Sequence, residues 1–237
     1  MLNFKPSLNM KKYLVLISVV LISYTMKAQF TFGVDGGLSI PSSNYGSSAG
    51  TTYNSGGTVS GYAKIGSCYD AFVGFKFIPI IGVMAQYGVN NNAYDVGKFN
   101  SSGSSTVTVS GGDKIASYLI GPYLSIKLAN IKLEAKLLGG IVSSNYPTIT
   151  ESSTANGTYN SVVNSFSTGN NFGFCAGAKI KFMVARIVGI GLGVDYLASD
   201  ASFKGVSNTN YNSQTVENNY KMSVGIFQAT LGASLDF

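Results

Sequence analysis

Large apolar residues recur at every second position along most of this chain. In 131–142 Ile131, Leu133, Ala135, Leu137 and Ile141 hold the odd places, and Lys132, Glu134 and Lys136 hold even ones. At the C-terminus Phe227, Ala229, Leu231, Ala233, Leu235 and Phe237 alternate with Gln228, Thr230, Gly232, Ser234 and Asp236. A period of two argues for strands with one apolar face. The pattern predicts strands near 30–40, 70–78, 82–92, 115–128, 131–143, 171–182, 187–199 and 220–237. A tilted membrane strand needs about 9–11 residues, a length these segments supply. Connections at Pro79–Ile81, Ala129-Asn130 and Met183–Arg186 are short, whereas 41–69, 93–114, 144–170 and 200–219 are long. Short turns at one end and long loops at the other are the layout of outer-membrane barrels. The predicted fold is therefore all-β: an eight-stranded antiparallel up-and-down transmembrane β-barrel with short periplasmic turns and four long extracellular loops. No helix-period segment, linker or repeat divides the chain further.

The first residues follow a different rule. Lys11-Lys12 precede the apolar run from Tyr13 to Tyr24, and Ala28 offers a small residue at a cleavage point. The run is shorter than the roughly 20 residues a membrane-spanning helix needs. Residues 1–28 read as a signal peptide whose true start is Met10, and 29–237 as the barrel domain. The expected location is the outer membrane of a Gram-negative cell.

Composition sharpens the choice between a membrane barrel and a soluble, lipocalin-like one. Charged residues make up 11% of the chain and hydrophobic ones 45%, against about 25% charged in an ordinary soluble domain. If the apolar side chains set the phase, Asp35, Lys76, Lys127, Lys132, Glu134, Lys136, Lys179, Lys181, Asp195 and Asp236 share the opposite face. Ten charges over eight strands are too few to coat a soluble barrel. Pointing inward, they predict a polar lumen in which Lys132, Glu134 and Lys136 join an ion-pair network with Asp35, Asp195 or Asp236. The formal net charge of +6 includes four leader lysines; without them 12 basic residues face 10 acidic ones. One arginine, Arg186, and no basic cluster make a nucleic-acid partner unexpected.

The leader ending Lys-Ala-Gln, the first strand FTFGVDGGLSI, the stretch Leu119–Ser125 (LIGPYLS) and the terminal strand ending in Phe237 resemble the small porin-like outer-membrane β-barrel family. The resemblance spans the mature chain. It implies the barrel fold and the outer membrane, with lipid and the barrel-assembly machinery as partners, and names no substrate. It also implies that Phe237 belongs to the signal that machinery reads.

Catalytic chemistry is sparse. The chain has no histidine, which removes Ser-His-Asp and Cys-His catalysis. Glu134 is the remaining candidate acid, but flanking lysines suit it to an ion pair. Gly189–Gly193 resembles a nucleotide-binding glycine run, yet the alternation continues through it where a helix is required. Cys68 and Cys175 fall on opposite walls of the predicted ring, and a bridge needs Cα atoms within about 7 Å. No enzyme activity, cofactor or metal is expected. An eight-stranded ring has room only for its own side chains, so the expectation is a filled lumen with a structural or surface-binding role. A narrow porin-like channel is the alternative. Loop one is extreme, with 18 of the 26 residues from Ser42 to Ser67 being Gly, Ser, Asn or Tyr. That mixture suits recognition surfaces, so Tyr45, Tyr53, Tyr62, Tyr146 and Tyr159 are candidates for an exposed rim that binds a surface polysaccharide or protein. Asn156-Gly157 predicts a hairpin within loop three, and 106–109 a further strand in loop two. The expected state is a monomer.

Overall fold

The computed structural model describes residues 29–48, 57–100, 106–155, 158–209 and 214–237; the predicted leader lies outside them. Twelve strands occur among the described residues: β1 (Gln29–Ser42), β2 (Gly57–Thr58), β3 (Gly66–Lys76), β4 (Ile81–Asn92), β5 (Thr106–Ser110), β6 (Asp113–Leu128), β7 (Ile131–Asn145), β8 (Thr148–Ala155), β9 (Thr158–Phe166), β10 (Gly169–Met183), β11 (Val188–Thr209) and β12 (Gln214–Asp236). The protein is all-β. Antiparallel ladders join β1 to β3, β3 to β4, β4 to β6, β6 to β7 and β7 to β10. Others join β10 to β11, β11 to β12 and β12 back to β1. Successive pairings therefore return to the strand from which they started, leaving no edge within that circuit. Each predicted segment overlaps one of its strands.

Local chemistry explains the short connections. Ala129 adopts a φ of 54° in the Ala129-Asn130 turn, the left-handed geometry a two-residue hairpin favours. At Phe77–Ile80 and Val184–Ile187 the chain reverses through apolar residues that remain exposed.

Side-chain phase divides the circuit into a polar inside and an apolar outside. Val34, Leu38, Ile120, Leu137, Leu192 and Leu231 are exposed on the outer face, while Thr31, Asp35, Gln86, Lys181, Asp195 and Thr230 are buried inside. Exposed aromatic residues bound this apolar belt at both ends. Tyr69, Tyr87, Tyr118, Phe172 and Phe227 lie toward the long loops, and Phe30, Phe75, Phe182 and Phe237 toward the short turns. Phe172 and Phe182 are ten residues apart on β10, as are Phe227 and Phe237 at the end of the chain. At the usual rise and a tilt of about 40°, that spacing gives a belt ~25 Å tall.

Beyond the belt the phase inverts along the same strands. On β11 the outward residues become Asp200, Ser202 and Lys204, and the inward ones Ala201 and Phe203 are buried. On β12 Asn219, Lys221 and Ser223 face out, while Tyr220, Met222 and Val224 are buried. This corrects the expectation of a long loop over the whole of 200–219, because β11 and β12 stay paired as far as Thr209 and Gln214. Within the belt the apolar residues face outward, and in the extension they face inward. Two further strands of the 144–170 loop, β8 and β9, pair as a hairpin around Asn156-Gly157, whose own residues lie outside those described. β9 docks on the upper part of β11, and β5 docks on β8.

Candidate functional site

Two layers of charge fill the lumen. Toward the short turns, Lys181 Nζ lies 2.8 Å from Glu134 Oε1 and 3.3 Å from Asp236 Oδ1. Lys132 reaches Asp236 Oδ2 at 3.3 Å, Thr31 Oγ1 donates to Asp236 Oδ1 at 2.6 Å, and buried Lys76 is within Coulombic reach of both acids. In the middle layer Lys136 Nζ lies 2.9 Å from Asp195 Oδ2 and donates to Gln86 Oε1 at 2.7 Å. Lys179 pairs with Asp35 and stands 4.3 Å from the centroid of the Phe72 ring. Charges removed from water are tolerated when each finds an opposite charge and further hydrogen bonds.

Glycine makes this packing fit. Gly189, Gly191 and Gly193 lie under the stems of Lys181 and Lys179, across the β10–β11 ladder. A Cβ at Gly177 would collide with the Asp195 carboxylate, and one at Gly232 with that of Asp35. The glycine run is thus the floor beneath two lysines.

One predicted lumenal residue is absent from the network. Lys127 is exposed and makes no ion pair among the described residues; it lies at the end of β6, past the rim, where the inward parity opens onto water. Conversely, Asp70 is buried in the lumen and accepts from Gln86 Nε2 at 3.0 Å. It shares the parity of Lys76, so the alternation could have revealed it; the large apolar Phe72 on the same inward face obscured the phase. With Lys127 out and Asp70 in, Lys76, Lys132, Lys136, Lys179 and Lys181 stand against Asp35, Asp70, Glu134, Asp195 and Asp236. The six lysines and four acids expected from the sequence become five of each. A cavity lined by Phe72, Met84, Tyr123, Glu134, Lys136 and Lys179 holds about 10 Å³, about enough for one water. Cys68 and Cys175 are buried free thiols.

At the long-loop end an aromatic crown covers the mouth. Tyr62 packs on Tyr94 and Phe99 with ring centroids 5.4 and 5.3 Å apart. Tyr146 contacts Tyr94, Phe166 and Phe203, and Phe203 stacks on Tyr220. Such pairs contribute about 0.5–1.5 kcal/mol each beyond their buried area. Backbone bonds lace loop one into place, Gly61 donating to Asn44 at 2.7 Å and Ala63 to Tyr45 at 3.1 Å. Tyr62 holds a φ of 50°, a strained value for a bulky residue that the surrounding rings maintain.

The exposed tyrosine rim is therefore corrected. Tyr45, Tyr62 and Tyr146 are 1%, 6% and 8% exposed, because their rings pack into the apolar core of the crown together with Phe203 and Met222. Tyr53 and the side chain of Tyr159 lie outside the described residues. Phe237, by contrast, is exposed at the opposite end, its N–H donating to the Phe30 carbonyl at 2.8 Å.

Asp113 stands in the mouth, five residues above Tyr118 and outside the apolar belt. It is buried, and neither carboxylate oxygen has a hydrogen-bond partner among the described residues. Burial pushes its carboxyl well above the ordinary range. Burial, and then the nearby Asp113 charge, likewise push up the phenol of Tyr45, which places loop one and β6 in electrostatic contact.

No protein-family model and no curated protein matches the chain. Among solved structures it is similar to Neisserial surface protein A, with 14% identity over 88% of this chain and 97% of that one, TM-score 0.45. It is similar to Ail, the attachment invasion locus protein of Yersinia pestis, with 12% identity over 90% and 100%, TM-score 0.47. The outer membrane protease OmpT from Escherichia coli is a further match, with 10% identity over 74% and 65%, TM-score 0.48.

The lumenal network makes two different predictions for two lysines. Lys181→Met leaves Glu134 and Asp236 short of a partner and should cost about 3–5 kcal/mol, whereas Lys127→Met should change stability by less than about 0.5 kcal/mol. Chemical denaturation of the refolded protein checks both; equal effects would contradict the network.

Asp113 carries a pH dependence. Its folded-state pKa is raised, so the stability of its site is full below the unfolded value of about 3.9 and is lost as pH rises through the folded value. Asp113→Asn should remove that loss. Thermal midpoints of the two proteins, followed from pH 4 upward by near-ultraviolet circular dichroism of the tyrosines, should diverge; parallel curves would exclude it.

Proposed function

We propose that the protein is an integral outer-membrane barrel of eight strands whose lumen is closed and whose work is done by its extracellular crown. One observation carries this reading: on β11 and β12 the apolar face switches from outside to inside at the aromatic girdle. A strand that shows apolar residues to its surroundings below a line and polar ones above it is built for two solvents. The belt height of ~25 Å agrees with the outer-facing apolar band of outer-membrane barrels, which is flanked by aromatic girdles in the same way. The long-loop end is then extracellular and the short turns periplasmic.

A filled lumen supports a structural or surface-interaction role over transport. Balanced ion pairs, a cavity of about 10 Å³ and the aromatic crown stand in series along the axis. The narrow-channel alternative needs a continuous water path that this packing opposes. A non-enzymatic role is supported by the absence of histidine from the chain and by the ion pairs that engage Asp35, Glu134, Asp195 and Asp236 with lysines. Outer-membrane lipid, the assembly machinery and a polysaccharide or protein at the cell surface are the partners this role calls for.

Purified protein in planar bilayers should show no steady conductance at neutral pH; a stable open level of porin size would overturn the closed lumen. Phe237→Ser should leave the chain in the periplasm or degraded, while Lys114→Ser, above the belt, should fractionate with the outer membrane. Equal assembly of the two would remove Phe237 from the assembly signal.

A further inference from the structure

The outer face of the crown carries a groove that the lumen and its aromatic cover do not use. It is an open groove of about 750 Å³ between β2, the start of β10 and the upper β11–β12 ladder. Thr58, Ser167, Ser202, Lys204, Asn219 and Lys221 line it. Phe203 and Tyr220 turn inward beneath it, and the polar groups that the lining presents beside its apolar stems are hydroxyl, amide and ammonium.

Register brings the two lysines together. Ser202 is opposite Lys221 and Lys204 is opposite Asn219, so the lysines are diagonal neighbours on one face. Side chains in that relation lie about 7–8 Å apart at the backbone, within reach of one another for long side chains. Two ammonium groups so placed can close on a single anion. Neither has an ion-pair partner among the described residues, in contrast with the lumenal lysines. The outward acids Asp200 and Glu217 hold the same diagonal relation, to Lys221 and Lys204 respectively, but neither forms an ion pair with them among the described residues, and Asp200 accepts from Ser223 at 2.8 Å.

Height and direction select the anion. The groove opens sideways over the apolar belt, away from the lumen axis. Lys221 is six residues above Phe227, and Lys204 eight above Tyr196. With the usual rise and tilt these positions stand ~15 Å and ~20 Å above the girdle. The headgroup layer of a simple phospholipid adds only about 5–8 Å to each side of the hydrocarbon. Such a phosphate lies too low; a charged sugar that rises from the leaflet does not.

We propose that this groove binds the phosphorylated saccharide of an outer-leaflet glycolipid. Lys204 and Lys221 share one phosphate, and Thr58, Ser167, Ser202 and Asn219 exchange hydrogen bonds with the adjoining sugar hydroxyls. The proposal rests on the membrane reading above.

The test uses the full protein in nanodiscs of neutral phosphatidylcholine, titrated with fluorescent lipopolysaccharide, with the same glycolipid after enzymatic dephosphorylation, and with its soluble phosphorylated core oligosaccharide. The wild type should bind the phosphorylated glycolipid more tightly than either other probe. Lys204→Gln with Lys221→Gln should weaken that binding on the order of tenfold, and Lys114→Gln, elsewhere on the outer face, should leave it unchanged. Equal binding by the double variant, or equal binding of the dephosphorylated glycolipid, overturns the groove. Equal or tighter binding of the free oligosaccharide overturns the membrane source. Failure of the protein to co-elute with nanodiscs before any ligand is added overturns the membrane reading itself.

Discussion

Everything in this structure depends on the inversion of the apolar face partway along continuous strands. A closed circuit of ladders satisfies the backbone whatever surrounds it, so the hydrogen bonds place no restriction on the solvent. The side chains do. Between the girdles the inside must hold whatever is polar, because the outside is taken by Leu, Ile, Val and Phe. Above the upper girdle the outside must be polar, and the apolar residues have only the inside left. The result is two cores stacked along one axis, one ionic and one aromatic.

The two cores solve different problems. In the ionic core the difficulty is charge in a confined space, answered by pairing, by Gln86 and Thr31 as extra hydrogen-bond donors and acceptors, and by glycines that admit the side chains. Removing a single partner there strands the other. In the aromatic core the difficulty is a shortage of aliphatic residues in a Gly-, Ser- and Asn-rich loop. Tyrosine answers it, since its ring buries area while its hydroxyl finds a polar atom, as Tyr146 does with the Ser60 carbonyl at 2.8 Å. Asp113 and Tyr45 lie within Coulombic reach of each other in the mouth, above the upper girdle.

The sheet does not end with the circuit. β9, β8 and β5 continue it from the upper part of β11, and β2 adds a short parallel edge to β12. This asymmetric wall gives the crown an outer face with relief, which a ring of separate loops would lack. Its lysines are of a different kind from those of the lumen. Inside, Lys132, Lys136, Lys179 and Lys181 pair with carboxylates; on the wall Lys204 and Lys221 lie beside hydroxyls with no ion-pair partner among the described residues.

Alternation by itself determined the strands, their order of short and long connections and the polarity of the lumen, because side-chain phase in a strand is a local, two-residue property. From Lys132, Glu134 and Lys136 it was legible that charge faces inward. From the parity of Lys76 the buried Asp70 was legible too, though Phe72 hid it. Partners were not: that Lys136 meets Asp195 and Lys181 meets Glu134 depends on cross-lumen distances between strands remote in sequence. Nor was the fate of Lys127, which turns on where the rim falls. The tyrosines of loop one were misread as a rim because exposure in a loop is set by what packs over it, and Tyr62 finds Tyr94 and Phe99 only once the strands have closed. Phase is written residue by residue; burial of a loop is decided by the ring that holds its neighbours in place.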